Sequence, residues 1–332
     1  EPIVTMMHFT SPKWLIENGG WENEATVEAF KNYCQYVTEQ LGDLMHYVCT
    51  INEANMGIQV AAISARYRAQ MMAKMQRMQQ GGAEEKKDLE GTAQVGMNFN
   101  DMMANMQKQK EENVEIFGTD TLQTFVSART PEGDMLVIRA HQAARAAMKA
   151  VKPELQIGLT LSLHDIQAQE GGEETAAKEW VDEFTHYVPY IKEDDFFGLQ
   201  NYSRSLIGPN GILPVPEGAE ITQMDYEYYP EGLEHVIRRV YEEMPMPIMV
   251  TENGIATADD TRRVAYIQTA MKGVENCIQD GIPVKGYMYW SMMDNFEWQK
   301  GFGMTFGLIS VDRTTQTRTA KPSLTVLGNY TK

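Results

Sequence analysis

The sequence predicts an α/β fold built around a parallel sheet. Three observations predict it: short continuous apolar runs recur along the chain, helix-like stretches follow most of them, and the runs end in polar or aromatic residues. Runs of this kind are typical of strands that are buried on both faces. Strands that alternate with helices form right-handed βαβ units and a parallel sheet. A length of 332 residues suits either two average domains or one large α/β barrel.

The predicted elements follow one another in a regular order. The predicted strands are residues 1–8, 47–53, 155–164, 195–202, 247–253 and 284–294. In residues 26–42 apolar side chains recur at steps of three and four, which predicts an amphipathic helix with Gly42 as its C-terminal cap. Further helices are predicted over residues 133–151, 174–187, 231–244 and 260–280.

The stretch of residues 62–116 departs from this pattern because it is rich in methionine. Two glycines and a short charge run interrupt it, and we predict two adaptable helices inserted after the second strand. Thioethers bind Cu(I), but no His or Cys lies in the stretch. We therefore interpret the methionines as side chains that fill an irregular wall.

The charge and the cysteines limit the partners and the compartment. The chain carries 29 basic and 46 acidic side chains, for a formal net charge of −17. An acidic protein repels phosphate backbones and anionic lipid surfaces, so we expect neither a nucleic acid nor a membrane as partner. No apolar run approaches the roughly 18 residues of a membrane span, and no signal-peptide pattern is found. Three cysteines far apart indicate a reducing compartment, and we predict a cytoplasmic protein.

Polar side chains stand where the predicted strands end, which is where parallel α/β folds carry their functional groups. These residues are His8, Asn52, Glu53, Ser162, His164, Tyr202, Glu252, Asn253 and Trp290. A buried strand has no structural use for a carboxylate at its end, because an unpaired buried charge costs several kcal/mol. Glu53 and Glu252 at one rim therefore predict chemistry with paired carboxylates.

Glycoside hydrolysis uses such a pair. One carboxylic acid protonates the departing oxygen, and the other carboxylate either attacks the sugar or activates a water molecule. A separation of about 5–5.5 Å between the carboxyls produces a covalent, retaining mechanism, and about 6.5–9.5 Å leaves room for water and inverts the anomeric configuration. The residue pattern leaves both alternatives open.

Several motifs resemble those of glycoside hydrolase family 1, the β-glucosidases and their relatives. Residues 50–54 (TINEA) and 250–254 (VTENG) are similar to the NEP and TENG signatures of that family. Residues 2–15 are similar to its third-strand segment and residues 195–203 to its sixth. The resemblance continues in the last segment, over residues 287–298 and 306–312. The motifs occur in the family's order along essentially the whole chain.

The resemblance implies a (β/α)8 TIM barrel, with residues 1–332 as a single catalytic domain and a Met-rich helical insertion at about 62–116. It further implies a retaining β-glycosidase, foremost a β-glucosidase, that works through a covalent glycosyl-enzyme. Glu252 would be the nucleophile and Glu53 the general acid and base. The family needs no metal or organic cofactor, so none is expected here.

The resemblance also assigns the residues that bind the sugar. Asn52 would hydrogen-bond the sugar 2-hydroxyl, a contact that strengthens in the transition state, and Tyr202 would hold the nucleophile. The remaining predicted pocket residues are His8, Trp290, Glu297, Trp298 and Phe306. Acidic acceptors and indoles suit a β-glucoside or an oligosaccharide, because a sugar offers hydroxyls around an apolar face.

Glu297 bears on the substrate. Relatives that cleave 6-phosphorylated sugars have a small or neutral residue at this position, followed by a Ser, Lys and Tyr set that binds phosphate. A carboxylate there would repel a phosphate dianion, and the later positions here hold Gly303, Thr305 and Phe306. An unphosphorylated sugar is therefore expected. Whether it is a glucoside, a galactoside or a fucoside stays open, because these sugars differ only in the configuration or presence of single hydroxyls, which the residue types of the pocket do not settle.

The largest departure from the family is at the front of the sequence. The chain opens inside what the family uses as its third strand, so the first two β/α units are not expected in it. An Arg beside the nucleophile would be missing with them, and an adjacent Arg normally lowers a carboxylate pKa. The alternative function is therefore a catalytically impaired barrel fragment that binds sugar, or that associates with a complementing N-terminal segment or with a second copy. Smaller departures are Ala54 and Gln200, where Pro and Asn are usual.

Overall fold

The computed structural model describes residues 1–79, 99–118, 120 and 122–331. These residues fall into two compact units, the first ending at residue 159 and the second starting at residue 160. In the described ranges no helix has the length and the apolar character that crossing a membrane requires. The prediction of a single domain over residues 1–332 stays a prediction.

In the first unit, strands and helices follow one another along the chain. They are β1 (Ile3–Met7), α1 (Lys13–Glu17), α2 (Ala25–Leu41), β2 (Tyr47–Ile51), α3 (Met56–Gln79), α4 (Phe99–Phe117), α5 (Pro131–Val151) and β3 (Gln156–Gly158). The three strands form a parallel sheet in the order β1-β2-β3. Helices α2 and α5 pack against each other. The β2 strand is thus central, and polar groups at its end are flanked on both sides.

Helix α2 ends differently from the prediction. Gly42 is its C-terminal cap, but with φ −55° it is right-handed, and the chain continues in a 3-10 turn over Gly42–Leu44. Such a turn satisfies the last carbonyls of the helix without a left-handed residue. Glycine is instead favoured by space, since a Cβ atom at Gly42 would lie 3.2 Å from Cδ of Lys152.

Two helices, α3 and α4, occupy the described parts of the Met-rich stretch. α3 already begins at Met56, earlier than the predicted insertion. Residues 80–98 and most of the methionine side chains lie outside the described residues. The packing role assigned to these methionines stays a prediction.

The second unit contains the larger sheet. Its elements are β4 (Thr160–Ser162), β5 (Asp165–Ala168), α6 (Glu173–Trp180), α7 (Val188–Ile191), β6 (Phe197–Gln200), β7 (Arg204–Gly208), β8 (Gly211–Ile212), α8 (Gly232–Glu243), β9 (Ile248–Asn253), α9 (Asp260–Gln279), β10 (Val284–Tyr289), β11 (Ile309–Val311), β12 (Arg318–Ala320) and α10 (Pro322–Gly328). The main sheet is parallel, in the order β10-β9-β6-β4. Smaller sheets have the orders β5-β7-β8 and β11-β12. Because β9 and β6 are the inner strands of the main sheet, their ends meet at the middle of one edge.

The apolar run of residues 155–164 is two strands rather than one. β3 pairs with β2, whereas β4 pairs with β6, and Leu159 separates them. The run was predicted as one strand because it is apolar throughout, and hydropathy does not record a change of pairing partner. The helix predicted over residues 174–187 is shorter in the structure. α6 ends at Trp180, and a π-helical turn, Val181–Thr185, follows it.

Aromatic side chains form part of the core of the second unit. Phe184 is fully buried, and its ring centroid lies 5.1 Å from that of Trp180 and 5.5 Å from that of Phe197. This contact joins the π-helical turn to strand β6. Cysteine thiols also lie in the cores of the two units, and Cys34, Cys49 and Cys277 are buried without disulfides.

Truncation of Phe184 tests this core. We expect Phe184→Ala to lower the free energy of unfolding by about 3–5 kcal/mol, because it removes a fully buried ring and leaves a cavity. Urea denaturation measures the change. The matched control is Phe302→Ala, whose ring is 58% exposed and whose loss should change stability by only about 0.5 kcal/mol. Equal effects of the two substitutions would contradict the assignment of Phe184 to the core.

Candidate active site

Glu252 lies at the end of β9, next to the end of β6. Its side chain is nearly buried, with 8% of the residue exposed. The hydroxyl of Tyr202, just beyond β6, donates a hydrogen bond of 2.6 Å to Oε2 of Glu252. In the part of the chain that the structure describes, no donor contacts the other oxygen, Oε1. The Tyr202 hydroxyl therefore fixes the carboxylate through one of its two oxygens.

Burial dominates the ionisation of Glu252. Burial and the negative charge of Glu297 raise the pKa of this carboxyl and the Tyr202 hydrogen bond lowers it, and together they bring it to about 7. Burial likewise raises the pKa of Glu297 to about 7, and a hydrogen bond from Trp290 acts in the opposite direction. Both carboxyls therefore change charge near neutral pH, which is the range in which acid–base catalysts work.

A buried hydrogen-bond network lies beneath Glu252. The side chain of the next residue, Asn253, accepts a bond of 2.8 Å from the Tyr287 hydroxyl. Its Nδ2 donates to the Asn201 carbonyl at 2.6 Å and to the Tyr266 hydroxyl at 3.0 Å. The Tyr266 hydroxyl in turn donates to the carbonyl of Tyr202 at 3.1 Å. The network thus links the main chain at Tyr202 to Asn253, the residue that follows Glu252.

Sequence reasoning missed the tyrosines of this network. A usable signal existed, because a tyrosine inside a buried strand or on the buried face of a helix needs a partner for its hydroxyl. Tyr287 lies within β10 and Tyr266 within α9, and neither was among the predicted site residues.

Trp290 follows β10 and lies against the end of β9. Its backbone N–H donates to the Asn253 carbonyl at 2.9 Å. A Cβ atom at Gly254 would lie 2.1 Å from the Trp290 carbonyl oxygen, so only glycine permits this approach. Trp290 is also the hydrogen-bond donor to Glu297. Trp298 begins the 3-10 turn that follows.

Phe306 packs against the residue that holds Glu252. It is 5% exposed, and its ring meets the Tyr202 ring edge-on with 6.1 Å between the centroids. Met224 and Ala256 complete the buried cluster on this side. The contact restricts the Tyr202 ring and so orients its hydroxyl.

A second group of predicted residues lies in the first unit, at the ends of β1 and β2. Nδ2 of Asn52 lies 3.3 Å from Nε2 of His8, and the Asn52 backbone N–H donates to the Met7 carbonyl at 2.9 Å. Burial lowers the pKa of His8, which favours the neutral imidazole. Glu53 is 7% exposed and has φ +43°, a left-handed conformation.

The predicted site residues therefore divide into one group in each unit. His8, Asn52 and Glu53 share the edge formed by β1 and β2, and the other group consists of Tyr202, Glu252, Trp290, Glu297, Trp298 and Phe306. Within the described ranges, no three His, Cys, Asp or Glu side chains are grouped so that they could hold a metal ion. The arrangement offers carboxyls, aromatic rings and amide donors.

Comparison with models of known protein families identifies the family of this chain. The model of glycosyl hydrolase family 1 matches residues 1–80 and 192–330.

The chain belongs to glycosyl hydrolase family 1.

Solved structures extend this finding to the fold. The family 1 chain is 40% identical to a β-glycosidase of known crystal structure, with a TM-score of 0.78 over 99% of this chain and 72% of that one. An apo β-glucosidase structure is 35% identical, with a TM-score of 0.80 over 99% of this chain and 73% of that one. The predicted α/β fold of the TIM-barrel class is confirmed.

Curated relatives have lower identity and carry two kinds of name. The 1,4-β-D-glucan glucohydrolase of Thermotoga neapolitana is 26% identical, over 97% of this chain and 71% of the relative. The 6-phospho-β-galactosidase of Lacticaseibacillus casei is 25% identical, over 97% of this chain and 74% of the relative. The family 1 chain is therefore a glycoside hydrolase that acts on β-glycosides.

The raised pKa of Glu252 has a consequence for stability. An acid whose pKa is raised on folding stabilises the fold when the pH is below its pKa in the unfolded chain, which is 4.5 for Glu252. This contribution is lost as the pH rises through the pKa of the folded state, about 7. We therefore expect Glu252→Gln to raise the free energy of unfolding by about 3 kcal/mol near pH 8 and to leave it nearly unchanged near pH 4. Urea denaturation at the two pH values measures this.

Glu217→Gln is the matched control, since Glu217 is exposed in a loop of the same unit. Its effect should be small and the same at both pH values. If Glu252→Gln raised the free energy of unfolding equally at both pH values, burial of the charged Glu252 carboxylate would not be what destabilises the fold.

Proposed function

We propose that this glycoside hydrolase is a retaining β-glucosidase in which Glu252 is the nucleophile. The observation that carries the proposal is the placement of Glu252, a nearly buried carboxylate with Oε2 held by Tyr202 at 2.6 Å. A carboxylate fixed through one oxygen is suited to attack a carbon atom, whereas a general base must have a water molecule in contact.

The reaction has two steps. Oε1 of Glu252 attacks the anomeric carbon and forms a glycosyl-enzyme ester, while the Glu53 carboxylic acid gives its proton to the departing oxygen. Glu53, now a carboxylate, then removes a proton from water, which attacks the anomeric carbon and releases Glu252. Asn52 would bind the 2-hydroxyl, and the neutral imidazole of His8 beside it would complete this side of the sugar site.

The pocket side chains support an unphosphorylated sugar. Glu297 accepts a hydrogen bond from Trp290 and is ionised above about pH 7, so it favours sugar hydroxyls and repels a phosphate dianion. Trp290, Trp298 and Phe306 supply apolar surface for the sugar ring, and each lies in the second unit with Glu252. By name, the curated relatives include enzymes for both phosphorylated and unphosphorylated substrates.

Trapping the intermediate tests the mechanism. With an activated 2-fluoro-β-glucoside we expect one covalent sugar per chain, on the peptide that contains Glu252, as measured by mass spectrometry. The Glu252→Gln variant should form no adduct and should lose at least about 10⁴-fold in kcat on a nitrophenyl β-glucoside. NMR of the first-formed product should show the β-anomer.

Glu217→Gln again provides the control and should retain wild-type activity. First formation of the α-anomer would exclude the retaining mechanism. Substrate that binds to the wild type and never turns over would instead favour the alternative, a sugar-binding chain that requires a complementing segment.

Substrate discrimination tests Glu297. We expect the wild type to prefer a nitrophenyl β-glucoside over its 6-phosphate by at least about 100-fold in kcat/KM, because the carboxylate repels the phosphate. Glu297→Ser should reduce this ratio by at least about tenfold. Parallel rates with β-galactoside and β-fucoside rank the sugars, and a wild type that prefers the phosphorylated glucoside would contradict the assignment.

A further inference from the structure

Arg129 is a buried cation in the first unit that sequence reasoning did not single out. It lies just before α5, and only 2% of its side chain is exposed. Its guanidinium is 3.5 Å from the similarly buried Asp134 carboxylate. A buried arginine is costly unless its charge and donors are satisfied, so its partners indicate what it holds in place.

Those partners are mainly carbonyl groups around the end of β2. One guanidinium nitrogen donates to the carbonyl of Ala54 at 2.8 Å, and the other donates to the carbonyl of Phe125 at 2.9 Å. The Arg129 backbone N–H donates to the Gly57 carbonyl at 3.0 Å. A Cβ atom at Gly57 would lie 2.7 Å from the guanidinium, so this glycine gives the arginine its space. Arg129 thus holds the turn that follows Glu53 at the Ala54 carbonyl, and it holds the first turn of α3 at the Gly57 carbonyl.

That turn contains backbone strain. Glu53 has φ +43°, and a residue with a side chain adopts this left-handed conformation at a cost of about 1–2 kcal/mol. The turn bond from the Met56 N–H to the Glu53 carbonyl, at 2.9 Å, does not by itself require it. Such a conformation persists only where surrounding contacts determine it, and the Ala54 carbonyl held by Arg129 belongs to the Ala54–Asn55 peptide group, one residue beyond Glu53.

The same guanidinium also contacts Phe125, whose ring packs on a second residue with positive φ. It lies over the Phe125 ring at 4.5 Å from the centroid, and Phe125 stacks on Phe9 with the ring centroids 5.8 Å apart. Phe9 follows His8 at the end of β1 and also has positive φ, +65°. The Arg129 guanidinium is therefore one contact removed from both left-handed residues, through the Phe125 ring to Phe9 and through the Ala54 carbonyl to Glu53.

We propose that Arg129 is a positioning residue for the Glu53 carboxyl, acting through the Ala54 carbonyl and not by contact with the substrate. The proposal rests on the acid and base role proposed for Glu53. Its consequence is chemical, because proton transfer needs the carboxyl within hydrogen-bond distance of the departing oxygen, and a displacement of about 1 Å can cost a factor of about 100.

The test compares substrates that differ in their need for acid catalysis. For Arg129→Gln we expect kcat/KM on phenyl β-glucoside to fall about 10–100-fold. On dinitrophenyl β-glucoside, whose leaving group departs without a proton, we expect a change of less than about threefold. Azide, a nucleophile that needs no base, should raise kcat of the variant on the dinitrophenyl substrate.

Matched variants separate positioning from stability. Arg129→Lys keeps the charge beside Asp134 but not the paired donors, so its selectivity between the substrates should lie between those of the wild type and Arg129→Gln. Arg139→Gln, which removes an exposed arginine paired with Glu24, should leave both substrates unaffected. Glu53→Gln should show the same selectivity as Arg129→Gln, and more strongly.

The outcomes distinguish the two proposals. Suppose that Glu53→Gln slows the phenyl substrate more than the dinitrophenyl substrate, whereas Arg129→Gln slows both equally or leaves both unchanged. Arg129 is then only structural, and the positioning proposal is wrong. If Glu53→Gln itself shows no selectivity, the role of Glu53 fails and the positioning role fails with it. Should Arg129→Gln not fold, Arg129→Lys decides, and unchanged selectivity in that variant overturns the proposal.

Discussion

The burial of two carboxyls beside each other is the constraint on which the rest of the site depends. Removing Glu252 and Glu297 from water disfavours their charged forms, and the negative charge of Glu297 adds to the effect at Glu252. The Tyr202 hydroxyl offsets part of this for Glu252, and Trp290 does so for Glu297. Since the hydrogen bonds do not fully compensate for burial, the site destabilises the fold at the pH values at which a nucleophile must be ionised.

In each unit, hydrogen bonds fix the main chain next to a buried carboxyl. In the second unit, the Asn253 side chain joins Tyr287, Tyr266 and the backbone on both sides of the Tyr202 contact. In the first unit, Arg129 binds carbonyls around the strained Glu53 turn. Both devices act on the main chain. Side-chain donors that bind backbone carbonyls hold a functional residue without occupying the space that a substrate needs.

Strand periodicity and helical spacing were sufficient to predict most elements. The apolar run before Glu252 became β9, and the run before Asn52 became β2, because a strand buried on both faces has almost no sequence alternative to continuous apolar residues. Residues 155–164 were predicted as one strand, since pairing partners are invisible in hydropathy. β5, β7, β8, β11 and β12 were not predicted because each has only two to five residues, too few for a recognisable apolar run.

The sequence by itself determined the family and the chemistry of the strand ends, since carboxylates and indoles at the ends of buried strands have few structural explanations. It also predicted which residue types would surround a sugar. Only the tertiary structure decided how these groups are held. The Tyr202 bond to Glu252, the Asn253 network and the Arg129 hydrogen bond to the Ala54 carbonyl each join residues distant in the chain. Such contacts depend on strand order and backbone conformation, including φ +43° at Glu53, which local residue pattern does not encode.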